Sequence, residues 1–230
     1  MRVVMLLYPR LTQLDLTGPY EVFGRFEELT LHLAWKTVDP VIDVGGLRLL
    51  PTTTLSQCPQ ADILFVPGGY GQIDLMEDRE VLNFLRQQAG QAGYVTSVCT
   101  GSLVLAAAGL LTGYRATSHW LSLDQLAHFG AIPVAERVVV DRNRVTGAGV
   151  TSGVDFALSL AARLFGDERA KATQLSMEYD PKPPFAGGSP ASSEPAIVAS
   201  LRASSADFQK ARDDVARRAA AALRLKQLAP

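Results

Sequence analysis

Two residues of this sequence pair a nucleophile with a proton carrier. Cys99 closes the β-prone run Tyr94-Val-Thr-Ser-Val98, and Thr100-Gly101-Ser102 then opens an apolar, helix-favouring run over 103–111. A strand, a one-residue corner and a helix in that order set the thiol beside the free N–H groups of a first helical turn. Those amides and the helix dipole favour an anion, so the expectation is a thiolate, the nucleophilic form. The corner is a nucleophile elbow in physical terms, although the G-x-S-x-G pattern of hydrolases is absent. A cysteine at a strand end is also ordinary core, and the elbow alone does not separate the two readings. The second residue, Asp15, lies between Leu14 and Leu16, just ahead of a helix predicted over 20–26. A carboxylate held among apolar residues is poorly solvated, so it keeps its proton or takes a specific partner. That suits acid/base work; a plain turn cap is the other reading.

Other stretches can serve the same site. Pro67-Gly68-Gly69-Tyr70-Gly71 follows a short apolar strand predicted over 61–66. Glycines directly after a parallel strand let backbone amides approach a ligand, which makes Gly69 a donor to a small anion or oxyanion. A tight turn explains the same residues. The P-loop is excluded, since no Lys-Ser/Thr follows. Gly147-Ala-Gly149-Val150-Thr-Ser-Gly153 places its third glycine one residue late for a dinucleotide fingerprint, and reads instead as a close backbone approach to Cys99. His119, in Ala116-Thr-Ser-His-Trp120, follows a short strand; ligands of open α/β sheets gather outside the carboxyl ends of strands, so it lies near Cys99 or is a satisfied histidine some way off. His32 reads as structural and Cys58 as packing.

The elements that must position these residues are legible. The apolar run 3–8, closed by Pro9, reads as a strand buried on both faces, as in a parallel sheet covered by helices. A strand over 30–36, a hairpin over 41–50 turning at Gly45-Gly46, a helix over 75–92, an amphipathic helix over 121–129, a hairpin over 138–146 and helices over 154–165 and 167–177 complete an α/β domain over 1–178. Residues 179–195, rich in Pro, Gly and Ser, form a connector. Residues 196–230 read as one alanine-rich, mildly basic helix that packs on the domain or on a dimer partner. One helix of this length leaves no room for a helix-turn-helix module with its own core, so no nucleic-acid partner is expected.

Bulk properties agree with an ordinary soluble globular protein. Of 230 residues 47% are hydrophobic and 20% charged, with a net charge of −1, which argues against disorder and against a polyanionic partner. No apolar run is long enough to span a bilayer. Two cysteines with no leader ahead of the first strand point to the cytoplasm. No metal is expected, because three histidines and two distant cysteines lack the paired close spacings of zinc sites.

Taken together, Asp15-Leu-Thr-Gly-Pro19, Pro67-Gly-Gly69, Val98-Cys-Thr-Gly-Ser102, Ala116-Thr-Ser-His-Trp120 and Gly147-Ala-Gly-Val-Thr-Ser-Gly153 resemble the PfpI-type superfamily related to class I glutamine amidotransferases. The resemblance extends over nearly the whole chain, including Glu178-Tyr-Asp-Pro-Lys-Pro-Pro-Phe185, and within the superfamily it points to the branch that hydrates isocyanides. It implies a flavodoxin-like sandwich with a mostly parallel sheet, a homodimer, and Cys99 as nucleophile. It places Asp15 where much of the superfamily has a glutamate bonded to the thiol, and Thr100 where the family's proteases have a histidine, which argues against peptidase activity. Val150 matches a residue whose backbone lines the site, where an isoleucine is expected. The activity implied is conversion of a small-molecule isocyanide to an N-substituted formamide without a cofactor. A cysteine-based redox sensor, a regulatory ligand-binding domain and a glyoxalase-like enzyme are the alternatives within the superfamily.

Overall fold

The computed structural model of the protein describes residues 1–228. The first half of the chain runs through β1 (Arg2–Leu6), α1 (Gln13–Phe23), β2 (Thr30–Trp35), β3 (Val41–Ile42), β4 (Arg48–Leu49), β5 (Thr53–Thr54), β6 (Ile63–Val66), α2 (Gln72–Leu75), α3 (Arg79–Ala89), β7 (Tyr94–Val98) and α4 (Gly101–Ala107). The second half holds β8 (Arg115–Ala116), a 3₁₀ segment (Leu123–Phe129), β9 (Ile132–Pro133), β10 (Val138–Asp141), β11 (Arg144–Gly147), α5 (Ser152–Phe165), α6 (Asp167–Ser176), α7 (Pro195–Ser204) and α8 (Ala206–Leu228).

Seven strands form the central sheet in the order β10-β11-β7-β6-β1-β2-β5. Every pairing in it is parallel except that of β10 with β11. The middle strands carry side chains buried on both faces: Val3 to Leu6 of β1, all of β6 and Val95 to Val98 of β7. That double burial follows from helices covering each face of a parallel sheet. On one side α1 packs against α5; on the other α4 gathers α2, α3 and α8. An aromatic chain, with Phe65 5.5 Å and Phe23 6.2 Å from Phe156 between ring centres, ties α1 and α5 to β6. The sheet therefore presents the carboxyl ends of β1, β6 and β7 side by side, where the glycine turn and the Cys99 corner emerge.

Three elements differ from the sequence reading. The helix expected over 20–26 begins at Gln13, so Asp15 lies in its first turn and Pro19 lies inside it. Proline lacks the N–H that the carbonyl four residues earlier would accept, which made Gly18-Pro19 look like a boundary. The helix expected over 75–92 is two, because Asp78 caps a new start by accepting from the N–H groups of Glu80 (3.1 Å) and Val81 (3.2 Å). The segment from residue 196 is also two helices, α7 and α8, meeting at Ser205; residues 229–230 of the expected helix lie outside the described residues.

Candidate active site

Cys99 turns the chain from β7 into α4 with a φ of 56°, a conformation that side-chain-bearing residues adopt at a cost of about 1 to 2 kcal/mol. The surrounding structure holds it there. Its N–H donates to the carbonyls of Gly147 (3.0 Å) and Ala148 (2.7 Å), and its own carbonyl accepts from the hydroxyls of Ser102 and Ser118, both at 3.1 Å. The two glycine-rich stretches thus grip the corner from either side. Gly68 is required by space: a Cβ there would lie 2.6 Å from the Thr100 nitrogen, 2.7 Å from Asp15 Oδ2 and 2.8 Å from Cys99 Cβ.

The same measurements bring Asp15 against Cys99. Asp15 is fully buried, its Oδ2 accepts from the Gly68 N–H at 3.0 Å, and its Oδ1 is buried without a hydrogen-bond partner among the described residues. Burial pushes its carboxyl up to about 7, against the opposing pull of the Cys99 thiol and the Gly68 N–H. It reaches this position because α1 crosses α5 closely: a Cβ on Gly153 would lie 2.9 Å from the Pro19 ring.

The thiol departs from the sequence expectation. The Thr100 N–H does favour the thiolate, as the helix start implies, but burial and the Asp15 charge outweigh it and push the Cys99 thiol well up. The pair therefore rests with the proton on sulfur or shared with the carboxylate, a thiol with its base beside it. Helix-terminus stabilisation is about 1 kcal/mol and desolvation of a buried anion is several times that.

Five of the six expected site residues line one cavity of about 190 Å³: Cys99, Thr100, Gly69, His119 and Val150. Asp15, the sixth, is not among the lining residues and lies against Cys99. Thr100 and Gly69 brace each other, the Gly69 N–H donating to Thr100 Oγ1 at 3.1 Å. That donation leaves the Gly69 amide occupied, so the oxyanion role expected of it is not available in this geometry. His119 accepts from the Leu121 N–H through Nδ1 at 3.3 Å, which leaves any ring proton of the neutral imidazole on Nε2. Burial, with Arg212 nearby, lowers its proton affinity, so the ring is neutral.

The far wall comes from residues the sequence reading did not single out. Tyr70, Ser205, Phe208, Gln209 and Arg212 close the cavity, four of them from the start of α8 or the residue just before it. Phe208 packs at a tilt of 44° against Tyr70, 5.0 Å between ring centres, and the Arg212 guanidinium lies 4.5 Å over Phe208. The signal was present only as a buried-type arginine and an aromatic on one face of the helix, which becomes informative once that face is docked. A second cavity of about 350 Å³, lined in part by Trp120, Leu123 and Pro190, shares His119 and Val150 with the first.

Among the described residues no three His, Cys, Asp or Glu side chains gather as metal ligands, and no helix is long and apolar enough to cross a membrane. The sequence pattern of the DJ-1/PfpI family matches residues 1–163. Over 226 residues, 98% of this chain and 99% of the other, it is 51% identical to a protein of Pseudomonas putida named "Isonitrile hydratase". It is 28% identical over 68% of its length to a protein of Caenorhabditis elegans named "Glutathione-independent glyoxalase DJR-1.2", of which it covers 83%. The crystal structure of a ThiJ/PfpI family protein from Pseudomonas syringae superposes with a TM-score of 0.91 at 46% identity, over 94% of this chain and 90% of that one. On its cysteine corner, its sheet order and these likenesses, the chain belongs to the DJ-1/PfpI family.

Proposed function

We propose that this protein is an isonitrile hydratase, a hydro-lyase that adds water to an isocyanide to give an N-substituted formamide, with Cys99 as nucleophile. The observation that carries the reading is the likeness, end to end, to the Pseudomonas putida protein of that name. The buried Asp15 beside the thiol supports it, because the reaction must move protons as well as make and break a carbon–sulfur bond.

In the first step the thiol proton passes to Asp15, the sulfur lone pair bonds to the isocyanide carbon, and Asp15 returns the proton to that carbon. The product is a thioimidate, R–N=CH–S–Cys99. Water then adds to the same carbon while Asp15 takes one of its protons and the nitrogen receives one. The carbon–sulfur bond of R–NH–CH(OH)–S–Cys99 breaks, the formamide R–NH–CHO leaves, and sulfur regains a proton. The oxygen and one hydrogen come from water, and the formyl hydrogen is the original thiol hydrogen. A carboxyl whose proton affinity is raised to about 7 is matched to taking and giving a proton near neutrality, and covalent catalysis divides one hard addition into two easier ones. Thr100 holds the Gly69 turn against the elbow, while His119 and Val150 shape the cavity around the substrate. The protein works as a cytoplasmic homodimer and needs no cofactor in this scheme.

The test is turnover of a simple aryl isocyanide, with N-formamide followed by chromatography, for wild type beside Cys99→Ala. Formamide from the wild type alone is the expected result. Formamide from neither, with conversion of methylglyoxal instead, would replace this reading with the glyoxalase-like one.

A further inference from the structure

Arg212 is the one strongly basic group of the cavity, and its position is expensive. It is only 5% exposed. Its Nη1 donates to two neutral oxygens, Ser122 Oγ at 2.6 Å and Gln209 Oε1 at 3.3 Å, and its Nε is buried with no hydrogen-bond partner among the described residues. A guanidinium removed from water without a counter-charge costs several kcal/mol, so a fold that keeps one there has a negative charge to set against it. The titratable groups that face it are Cys99, Tyr8 and Tyr70, with His119 beside it. Tyr8 does not supply the charge, since its hydroxyl donates to the Pro67 carbonyl at 2.8 Å and burial holds its proton on; Tyr70 is half exposed to water. Asp213, the next residue, turns away to His128 and Arg217.

The remaining anion is the one that the Asp15–Cys99 pair carries. We propose that Arg212 is a positioning residue of the catalytic site, the cation that balances the negative charge on Cys99 as sulfur gives up its proton. The fold aims it deliberately. Ser122 and Gln125 of the 3₁₀ region both bond Gln209 (3.0 and 3.4 Å), fixing the first turns of α8 over the cavity, and Phe208 under the guanidinium holds its plane. Asp15 takes the proton from one side of the sulfur and Arg212 stabilises what is left from the other, so α8 supplies half of the electrostatics that the elbow lacks.

This inference rests on Cys99 as the reactive group of the proposed hydratase, and its test separates the two. Alkylation of each cysteine by iodoacetamide is followed across pH by peptide mapping in wild type, Arg212→Gln and Arg212→Lys. Cys58, partly buried and not among the residues lining the cavity, serves as an internal reference. Arg212→Gln should alkylate Cys99 about tenfold more slowly near neutral pH, with its pH profile displaced upward by about 1, the equivalent of a tenfold loss of thiolate. Arg212→Lys should restore most of the rate, and Cys58 should be unchanged in both. An unchanged Cys99 profile in Arg212→Gln, an Arg212→Lys rate as low as that of the glutamine variant, or faster reaction of both cysteines together would each overturn the proposal, the last by showing that the side chain only anchors α8. If the expected alkylation pattern is found in a protein that hydrates no isocyanide, Arg212 keeps its role and the hydratase reading fails.

Discussion

Replacing Asp15 by asparagine should make the protein more stable and nearly inactive at the same pH. The carboxyl ionises near 3.8 in an unfolded chain and near 7 in the folded one, so between those values the folded state binds the extra proton and wild-type stability falls as pH rises. A difference of about 3 in pKa corresponds to about 4 kcal/mol, fully expressed above pH 7 and absent below about pH 4. That figure is already net of the Gly68 N–H and the Cys99 thiol, which favour the carboxylate. Asparagine keeps the Gly68 acceptor and never ionises. The stability of Asp15→Asn minus that of wild type should therefore grow by about 2 kcal/mol or more from pH 4 to pH 8, because titrations common to both proteins cancel in the subtraction. Urea unfolding at a series of pH values measures it. Turnover should fall by about 10² to 10⁴, the usual worth of a positioned acid/base group. A stability difference that is flat across this range would refute the raised proton affinity, and full turnover would refute the role of Asp15 in proton transfer.

Four further outcomes follow from the site. Cys99→Gly should be about 1 kcal/mol more stable than Cys99→Ala in denaturant unfolding, since only glycine relieves the positive φ, and both should lack turnover. Gly68→Ala should lose most activity and at least about 2 kcal/mol of stability, because its Cβ has to displace Thr100, Asp15 or Cys99; thermal unfolding with a turnover assay reads both. Ser118→Ala should cost about 1 kcal/mol by removing one of two hydroxyls on the Cys99 carbonyl, again seen in unfolding. Phe208→Ala should widen the cavity, lowering KM for bulky isocyanides relative to small ones in a substrate series.

The elbow was legible because a strand, a corner and a helix are written locally: β-prone residues, Cys99, then Thr100-Gly101-Ser102 and an alanine-rich run. So were the glycine turns, whose residue types are dictated by close approach. The ionisation state of Cys99 was not legible. Helix-start stabilisation is a local property, whereas the larger opposing effect, burial, is set by every element that covers the corner. Asp15 was recognised for its apolar neighbours, yet its place inside α1 was hidden by Pro19, which reads as a boundary in one dimension and sits against Gly153 in three. Arg212, Phe208 and Gln209 escaped notice for a related reason. Their helix has the composition of any surface helix, and only its docking on the 3₁₀ segment shows which face meets the cavity.

That docking bears on when the protein becomes an enzyme. The sheet is complete at Gly147, and the Cys99 corner is held by the carbonyls of Gly147 and Ala148, so in a chain folding from its N-terminal side the corner is fixed once β11 has formed, with the cavity still open. Phe208 and Arg212 line the pocket only once α8 has been made and has docked. The order of the elements thus separates the shaping of the corner, which needs β11, from the covering of the cavity, which needs α8.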